Sequence, residues 1–239
     1  MPPGDVAKTL DDTLERLLQA DAPLAERLAE YATILREINR PFAEAVDRLI
    51  VRLMEVGVGA TAPNVGETLP PFLLPDEEGH LVALDHLLAT GPLVVAFRRG
   101  HWCPYCQLAT QALAGIQAAI HQRGARLVVL TPEREQFARQ LKHQSGATFP
   151  ILSDVDNGYA MAVGLAISVG AEMKEFMTVR GRKLDAYHGN AAWLLPIPAT
   201  FVLDQAGQIV MRHVDPDYRR RAESSDILSA LDVVMRQIP

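Results

Sequence analysis

The sequence predicts an α/β fold in which helices flank a mixed central sheet, preceded by a helical N-terminal extension. Three observations carry this. Leu93 to Phe97 and Arg126 to Thr131 are short runs with the hydrophobicity of strands buried on both faces. Between them, Leu108, Leu113, Ile116 and Ile120 recur at helical spacing. Further on, Thr200 to Leu203 and Gln208 to His213 flank the turn sequence Asp204-Gln205-Ala206-Gly207 and read as a hairpin. A strand–helix–strand unit followed by a hairpin combines parallel and antiparallel pairs in one sheet.

Residues 1–57 hold three helical stripes. Val6, Leu10, Thr13, Leu14, Leu17 and Leu18 form the first; Leu24, Leu28, Tyr31, Leu35 and Ile38 the second; Phe42, Val46, Leu49, Ile50 and Leu53 the third. Pro23 and Pro41 sit where new helices would begin. Three stripes in so short a segment cannot bury themselves alone. They must pack on the rest of the chain or on a second copy, so a homodimer through these helices is one expectation. Residues 58–71, with Gly59, Pro63, Gly66, Pro70 and Pro71, read as a linker, and residues 72–239 as the main domain.

Within that domain, Gly79-His80 marks a hairpin between Phe72–Leu74 and Leu81–Leu84. Glu133 to His143 is a polar helix, Phe149 to Ser153 is extended, and Asn157 to Leu165 is a short helix. Met173 to Leu195 reads as an insertion that either covers a site or fills surface. Ser225 to Ile238 closes the chain as an amphipathic helix that Ser224 or Ser225 could cap.

The 239 residues are 49% hydrophobic, enough for a sizeable core, and carry a net charge of −6, which leaves no basic footprint for nucleic acid. Arg219-Arg220-Arg221, close behind Asp215 and Asp217, reads as a solvated helix start. No apolar stretch is long enough to span a membrane. Met1-Pro2-Pro3-Gly4-Asp5 lacks the basic and apolar regions of a secretory signal, so a cytoplasmic location is expected. There a disulfide is more often transient and catalytic than structural.

Both cysteines lie in Trp102-Cys103-Pro104-Tyr105-Cys106, where a strand should turn into a helix. Pro104 suits the first helical turn, where its missing N–H costs nothing. Cys103 then lies at the positive end of the helix, which favours thiolate, and Cys106 follows one turn later on the same face. A structural zinc site needs four ligands, and with two cysteines and scattered histidines no metal is expected. Covalent haem attachment would need a histidine where Gln107 stands. A structural disulfide would close too small a loop to constrain the unfolded chain much. A redox pair fits best, with two inert core cysteines as the alternative.

These residues resemble the thioredoxin-fold superfamily. Cys103-Pro104-Tyr105-Cys106 is similar to the glutaredoxin active site, Trp102 to the residue before the thioredoxin one, and Ile197-Pro198-Ala199-Thr200 to the loop in which such proteins carry a cis-proline facing the cysteines. From about residue 60 to 235 the chain most resembles the peroxiredoxin-like branch of the alkyl hydroperoxide reductase/thiol-specific antioxidant family. That likeness runs through Pro71-Phe72-Leu73-Leu74, Phe97-Arg98-Arg99-Gly100-His101-Trp102-Cys103, Pro150-Ile151-Leu152-Ser153-Asp154, Trp193 to Phe201 and Asp215-Pro216-Asp217-Tyr218. It departs where peroxiredoxins carry Pro-x-x-x-Thr-x-x-Cys: Ala96 and Gly100 hold those positions, and Pro198 replaces a later arginine.

The resemblance implies a thioredoxin-like fold and a thiol-dependent antioxidant enzyme, Cys103 attacking a disulfide or hydroperoxide and Cys106 resolving the adduct as an intramolecular disulfide. Cys103, first on the helix, should be the more exposed. Arg99 is a candidate cation for its thiolate, though Arg98 and Arg99 can equally be a surface pair, and His101 reads as a solvated loop residue. Trp102 and Tyr105 would line a substrate groove, with Pro198 opposite the cysteines in a cis bond and Thr200 behind it. No bound cofactor is expected; an external thiol reductant, glutathione or a thioredoxin-like donor, would restore the dithiol. Pro-Tyr between the cysteines suggests a potential of about −200 to −230 mV. Because Gly100 and Pro198 lack the donors peroxiredoxins use, the sequence ranks small disulfides ahead of hydrogen peroxide as substrates. A non-catalytic redox sensor or binding protein on the same fold is the alternative.

Overall fold

The computed structural model describes residues 3–236. The extension forms α1 (Pro3–Leu18), α2 (Leu24–Ile38) and α3 (Arg40–Glu55). Asn39 caps α3, its side chain accepting the Phe42 N–H at 3.3 Å, with Pro41 in the first turn. α2 begins after Pro23, which brings no capping side chain. The carboxylate of distant Glu223 takes that role, accepting the N–H groups of Ala25 at 2.6 Å and Leu24 at 3.3 Å.

The three stripes find their cover within the chain. Leu10, Leu17, Leu28, Tyr31, Leu35, Val46, Leu49 and Leu53 are buried in one cluster with Leu93, Val95, Phe97 and Phe201 of the main domain. The segment over 58–71 is packed rather than free. Ala62 and Leu69 are buried, Gly66 N–H donates to Ile209 O at 2.8 Å, and Thr68 bridges to Gln208. At Gly59 (φ +84°) a Cβ would lie 2.8 Å from the side chains of Ile197 and Val214, so glycine alone fits that approach.

Next come the hairpin β1 (Leu73–Pro75) and β2 (Leu81–Ala83), then α4 (Leu84–Leu88), β3 (Leu93–Phe97), α5 (Pro104–Gln122), β4 (Arg126–Thr131), α6 (Glu135–Ser145), β5 (Ile151–Ser153) and α7 (Gly158–Ala162). After these follow β6 (Ala166–Ser168), α8 (Gly170–Val179), α9 (Leu184–His188), β7 (Leu194–Pro196), β8 (Ala199–Leu203), β9 (Ile209–Val214) and α10 (Ser224–Met235). The central sheet has the order β5-β4-β3-β8-β9, with β3, β4 and β5 parallel and β8 and β9 antiparallel to their neighbours. Every residue of β3 is buried, and the alternation of a strand divides them between two layers. Leu93, Val95 and Phe97 face the extension's cluster, whereas Val94 and Ala96 join Leu113, Ile120, Leu141, Ile227 and Leu231 from α5, α6 and α10.

Two expectations fail. The Ile197–Pro198 bond is trans, like every peptide bond among the described residues. Pro196 pairs with Ala166 at the end of β7, Ile197 N–H donates to Leu165 O at 2.8 Å, and Ala199 opens β8 opposite Phe97. The chain runs extended from one sheet into the next, with no reversal for a cis bond to make. Nor does either serine cap α10: Glu223 holds the cap position and spends its carboxylate on α2. The expected continuation of α10 to Ile238 lies outside the described residues, as do Met1 and Pro2. Among the described residues no helix is long and apolar enough to cross a membrane.

Because α2 shares its core with the sheet, Leu28→Ala should cost about 2–5 kcal/mol in urea denaturation while the chain still unfolds in one transition. Separate melting of the helices would show that the extension is an independent unit.

His188 is 1% exposed, and its Nε2 has no partner among the described residues. Burial lowers its pKa from 6.5 to about 4, so the fold resists its protonation. A depressed pKa gives stability that is complete above the unfolded value, 6.5, and lost as pH falls toward 4. Urea titrations should show this loss, on the order of 2 kcal/mol, and His188→Leu should flatten that part of the profile.

Candidate active site

β3 ends by handing Arg98 N–H to Leu130 O at 2.8 Å, and the chain then turns into α5 through Arg99, Gly100, His101 and Trp102. Gly100 has φ +138°, and a Cβ there would lie 2.5 Å from Glu133 Cδ and 2.7 Å from Trp102 Nε1. Only glycine passes this point. Glu133, fully buried, clamps the loop: one carboxylate oxygen accepts the His101 N–H at 2.7 Å and the other lies 2.7 Å from His101 Nδ1. Burial pushes the Glu133 carboxyl above its ordinary value, opposed by the hydrogen bonds and charge of His101. His101 also stacks on Phe137, with ring centroids 5.0 Å apart, and meets the Tyr187 ring edge-on. The histidine expected in solvent is a packed part of the loop.

Cys103 occupies the N-cap position of α5, its carbonyl accepting the N–H groups of Cys106 at 2.9 Å and Gln107 at 3.0 Å. Gln107 returns a hydrogen bond from Nε2 to His101 O at 2.6 Å. Both cysteines are free thiols and both are buried, Cys103 at 2% exposure and Cys106 at 0%. The difference in exposure expected between them is slight. Cys106 Sγ accepts the Arg99 backbone N–H at 3.3 Å and Arg221 Nη2 at 3.7 Å.

Arg98, Arg99 and Arg221 are 2%, 5% and 7% exposed, so the possible surface pair is interior and so is one arginine of the expected solvated run. Arg98 Nη1 donates to Phe97 O and Arg221 Nη1 to Arg220 O; none of the three forms an ion pair among the described residues. Burial pushes the Cys106 thiol up, but the Cys103 hydrogen bond and the guanidiniums of Arg221, Arg98 and Arg99 bring it well below its ordinary value. Cys103, buried and bonded to that anionic sulfur, stays well above. The two sulfurs titrate as a coupled pair, and the guanidiniums that converge on Cys106 favour ionisation there. The helix dipole had suggested the reverse; the convergence of guanidiniums on Cys106 outweighs it.

A cavity of about 50 Å³ adjoins Cys103. Its lining comes from three places: Tyr31, Leu35 and Phe42 of the extension, Met173 and Met177 of α8 with Arg180 and Arg182 just after it, and Arg99, Trp102, Pro104, Tyr105 and Tyr218 around the cysteine turn. The Arg99 guanidinium lies 3.9 Å from the centre of the Tyr218 ring and 5.2 Å from that of Trp102. Tyr105 meets Tyr31 and Tyr218 edge-on at 5.3 and 5.4 Å. Asp217 fixes this corner by accepting from Arg219 Nε at 2.8 Å and Nη2 at 2.9 Å, while Arg219 Nη1 reaches Asp47 on α3 at 2.9 Å.

The structure thus gathers Cys103, Cys106, Arg99, Trp102, Pro104 and Tyr105. It leaves out Pro198, buried ahead of β8, and Thr200, a sheet residue between Ala96 and His213. Trp193 packs beneath Lys174 at 5.1 Å, outside the cavity. Sequence reasoning missed Glu133, Arg221 and the part played by Tyr218. Glu133 lay at the start of a polar helix and Arg221 in a charged run, and neither context marks a buried group.

A buried dithiol at the start of a helix, fed by the central strand of a mixed sheet, defines a thioredoxin-fold redox protein. The sequence profile of the AhpC/TSA family matches residues 65–212, more than half of the chain, and the chain belongs to that family as a thiol-dependent oxidoreductase. No curated protein matches it. Among solved structures it is similar to peroxidoxin BcpB from Mycobacterium tuberculosis, with TM-score 0.55 and 20% identity over 71% of this chain and 97% of that one. It is also similar to a mutant of peroxiredoxin 6 of Arenicola marina, with TM-score 0.56 and 16% identity over 71% of this chain and 72% of that one. Tyr31, Tyr218 and Arg221 lie outside the family match.

Trp102 shares the cavity wall with Cys103 and Trp193 does not. Reducing a Cys103–Cys106 disulfide should therefore brighten tryptophan emission in the wild type and in Trp193→Phe, and leave Trp102→Phe unchanged. A change that persists in Trp102→Phe would place the reporter elsewhere.

Proposed function

We propose that the protein is a thiol-dependent peroxidase in which Cys103 attacks a hydroperoxide and Cys106 resolves the product. The observation that carries this reading is the cavity of about 50 Å³ beside Cys103. A water needs roughly 10–15 Å³ of such space, so the cavity has room for a peroxide group beside the sulfur, and a bulkier disulfide would have to reach Cys103 from its open side. This weighs against the substrate ranking drawn from the motif. The Arg99 guanidinium, at the same wall, can serve where Gly100 and Pro198 lack donors, stabilising charge as the O–O bond breaks.

In the first step the Cys103 proton passes to Cys106, the Cys103 thiolate attacks the peroxide oxygen, an S–O bond forms as the O–O bond breaks, and the leaving alkoxide takes the proton from Cys106, which becomes a thiolate again. Cys103 becomes a sulfenic acid. Cys106 thiolate then attacks that sulfur, the S–O bond breaks, and hydroxide leaves and is protonated to water. An external thiol reductant, glutathione or a thioredoxin-like donor, reduces the disulfide. A yeast mitochondrial 1-Cys peroxiredoxin of similar structure is described as resolving its thiol via glutathione and thioredoxin systems, which supports that choice. Use of the disulfide as an intermediate suits a reducing compartment such as the cytoplasm.

Cys103→Ser should abolish turnover with hydrogen peroxide or an organic hydroperoxide under either donor. Cys106→Ser should be oxidised once and stall, with mass spectrometry finding sulfenic acid or a mixed disulfide on Cys103. Arg99→Ala should slow Cys103 oxidation by about 10²-fold. Faster turnover of a small disulfide than of hydrogen peroxide would return the reading to a disulfide reductase; one oxidation without recycling would make the protein a sensor.

A further inference from the structure

Arg221 lies beyond the family match, on the segment ahead of α10, and its guanidinium is buried against the sulfur of Cys106. Its Nε has no partner among the described residues and its Nη1 reaches only the Arg220 carbonyl, at 3.3 Å. A buried guanidinium with no carboxylate to answer it is costly unless another anion does so. The group placed to answer it is Cys106.

We infer that Arg221 is a catalytic residue of the resolving step: its Nη2–H, donated to Cys106 Sγ, keeps that sulfur anionic and aimed while it closes on oxidised Cys103. This rests on the peroxidase reading and assigns its second half to a residue the first half does not need. In that step the S–S bond forms and the S–O bond of the sulfenic acid breaks. Cys106 is oxidised, Cys103 sulfur is reduced, and hydroxide departs to become water. Before the step the guanidinium stabilises the attacking sulfur; after it the sulfur is neutral and the bond to Arg221 weakens.

The groups facing Cys106 are Cys103 on its own helix, Arg98 and Arg99 behind β3 and Arg221, with Glu133 behind β4 close enough to feel its charge. His213, on β9, feels Arg221 and Arg98. Removing Arg221 leaves Arg98 and Arg99, so the pair should still ionise, at higher pH.

The test is stopped-flow oxidation of the full chain by hydrogen peroxide, with Trp102 emission following the chemistry and thiol trapping with mass spectrometry separating sulfenic acid from disulfide. In Arg221→Gln, disulfide closure at pH 7 should slow about tenfold to a hundredfold and recover as pH rises toward 9, since each unit of thiol pKa is a factor of ten in thiolate. Sulfinic acid on Cys103 should accumulate in parallel, and Arg221→Lys should restore part of the rate. Closure unchanged in rate and pH profile in Arg221→Gln would overturn the assignment, as would slow closure that no pH rescues, the mark of a merely structural role. If the wild type forms sulfenic acid but never the Cys103–Cys106 disulfide, the resolving reading falls first and this one with it.

Discussion

The meeting of three buried arginines with the sulfur of Cys106, at the end of the central strand, is the contact around which the site is built. Each guanidinium brought out of water costs several kcal/mol unless an anion or a full set of acceptors receives it. Arg98 and Arg221 find single backbone carbonyls, Arg99 finds the faces of Tyr218 and Trp102, and among the described residues no carboxylate joins them. The sulfur they surround is that of Cys106, whose thiol they hold below its ordinary value. Gly100 and the Glu133 clamp on His101 hold the loop in the conformation that makes this meeting possible.

Much of what completes the site lies outside the part of the chain that defines the family. Residues 3–55 bring Tyr31, Leu35 and Phe42 to the cavity beside Cys103, and the segment after β9 brings Tyr218 to the same cavity and Arg221 to Cys106. The two are tied to each other at two places, by Glu223 on the start of α2 and by Arg219 on Asp47. The ties are partly exposed, so their energy is modest. Their effect is positional: they hold together two parts of the cavity lining that come from opposite ends of the sequence.

The sheet, the three N-terminal helices and the cysteine-bearing turn were legible because each has a period or punctuation that local sequence can carry. Leu93–Phe97 reads as buried without reference to anything else, and Pro104 marks a helix start wherever it stands. The elements between residues 166 and 196 were not legible, being three to ten residues long and too short to show a period. The charged groups of the site were hidden for a different reason. Arg98, His101, Glu133 and Arg221 look solvated in their local sequence, and their burial follows from partners far along the chain. The trans bond before Pro198 shows the limit of resemblance: the short motif is shared, but here it joins two extended strands.

The cluster of buried guanidiniums also ties redox poise to folding through a thermodynamic cycle. In an unfolded chain the dithiol and the disulfide are equally remote from Arg98, Arg99 and Arg221. In the folded chain the reduced pair supplies an anion to the cluster and the disulfide supplies none. An anion held by the cluster favours the reduced form, and each 1.4 kcal/mol of that preference makes the reduction potential more positive by about 30 mV. On the proposed function, the arginines that assist the cysteines would also make their disulfide easier for a thiol donor to reduce.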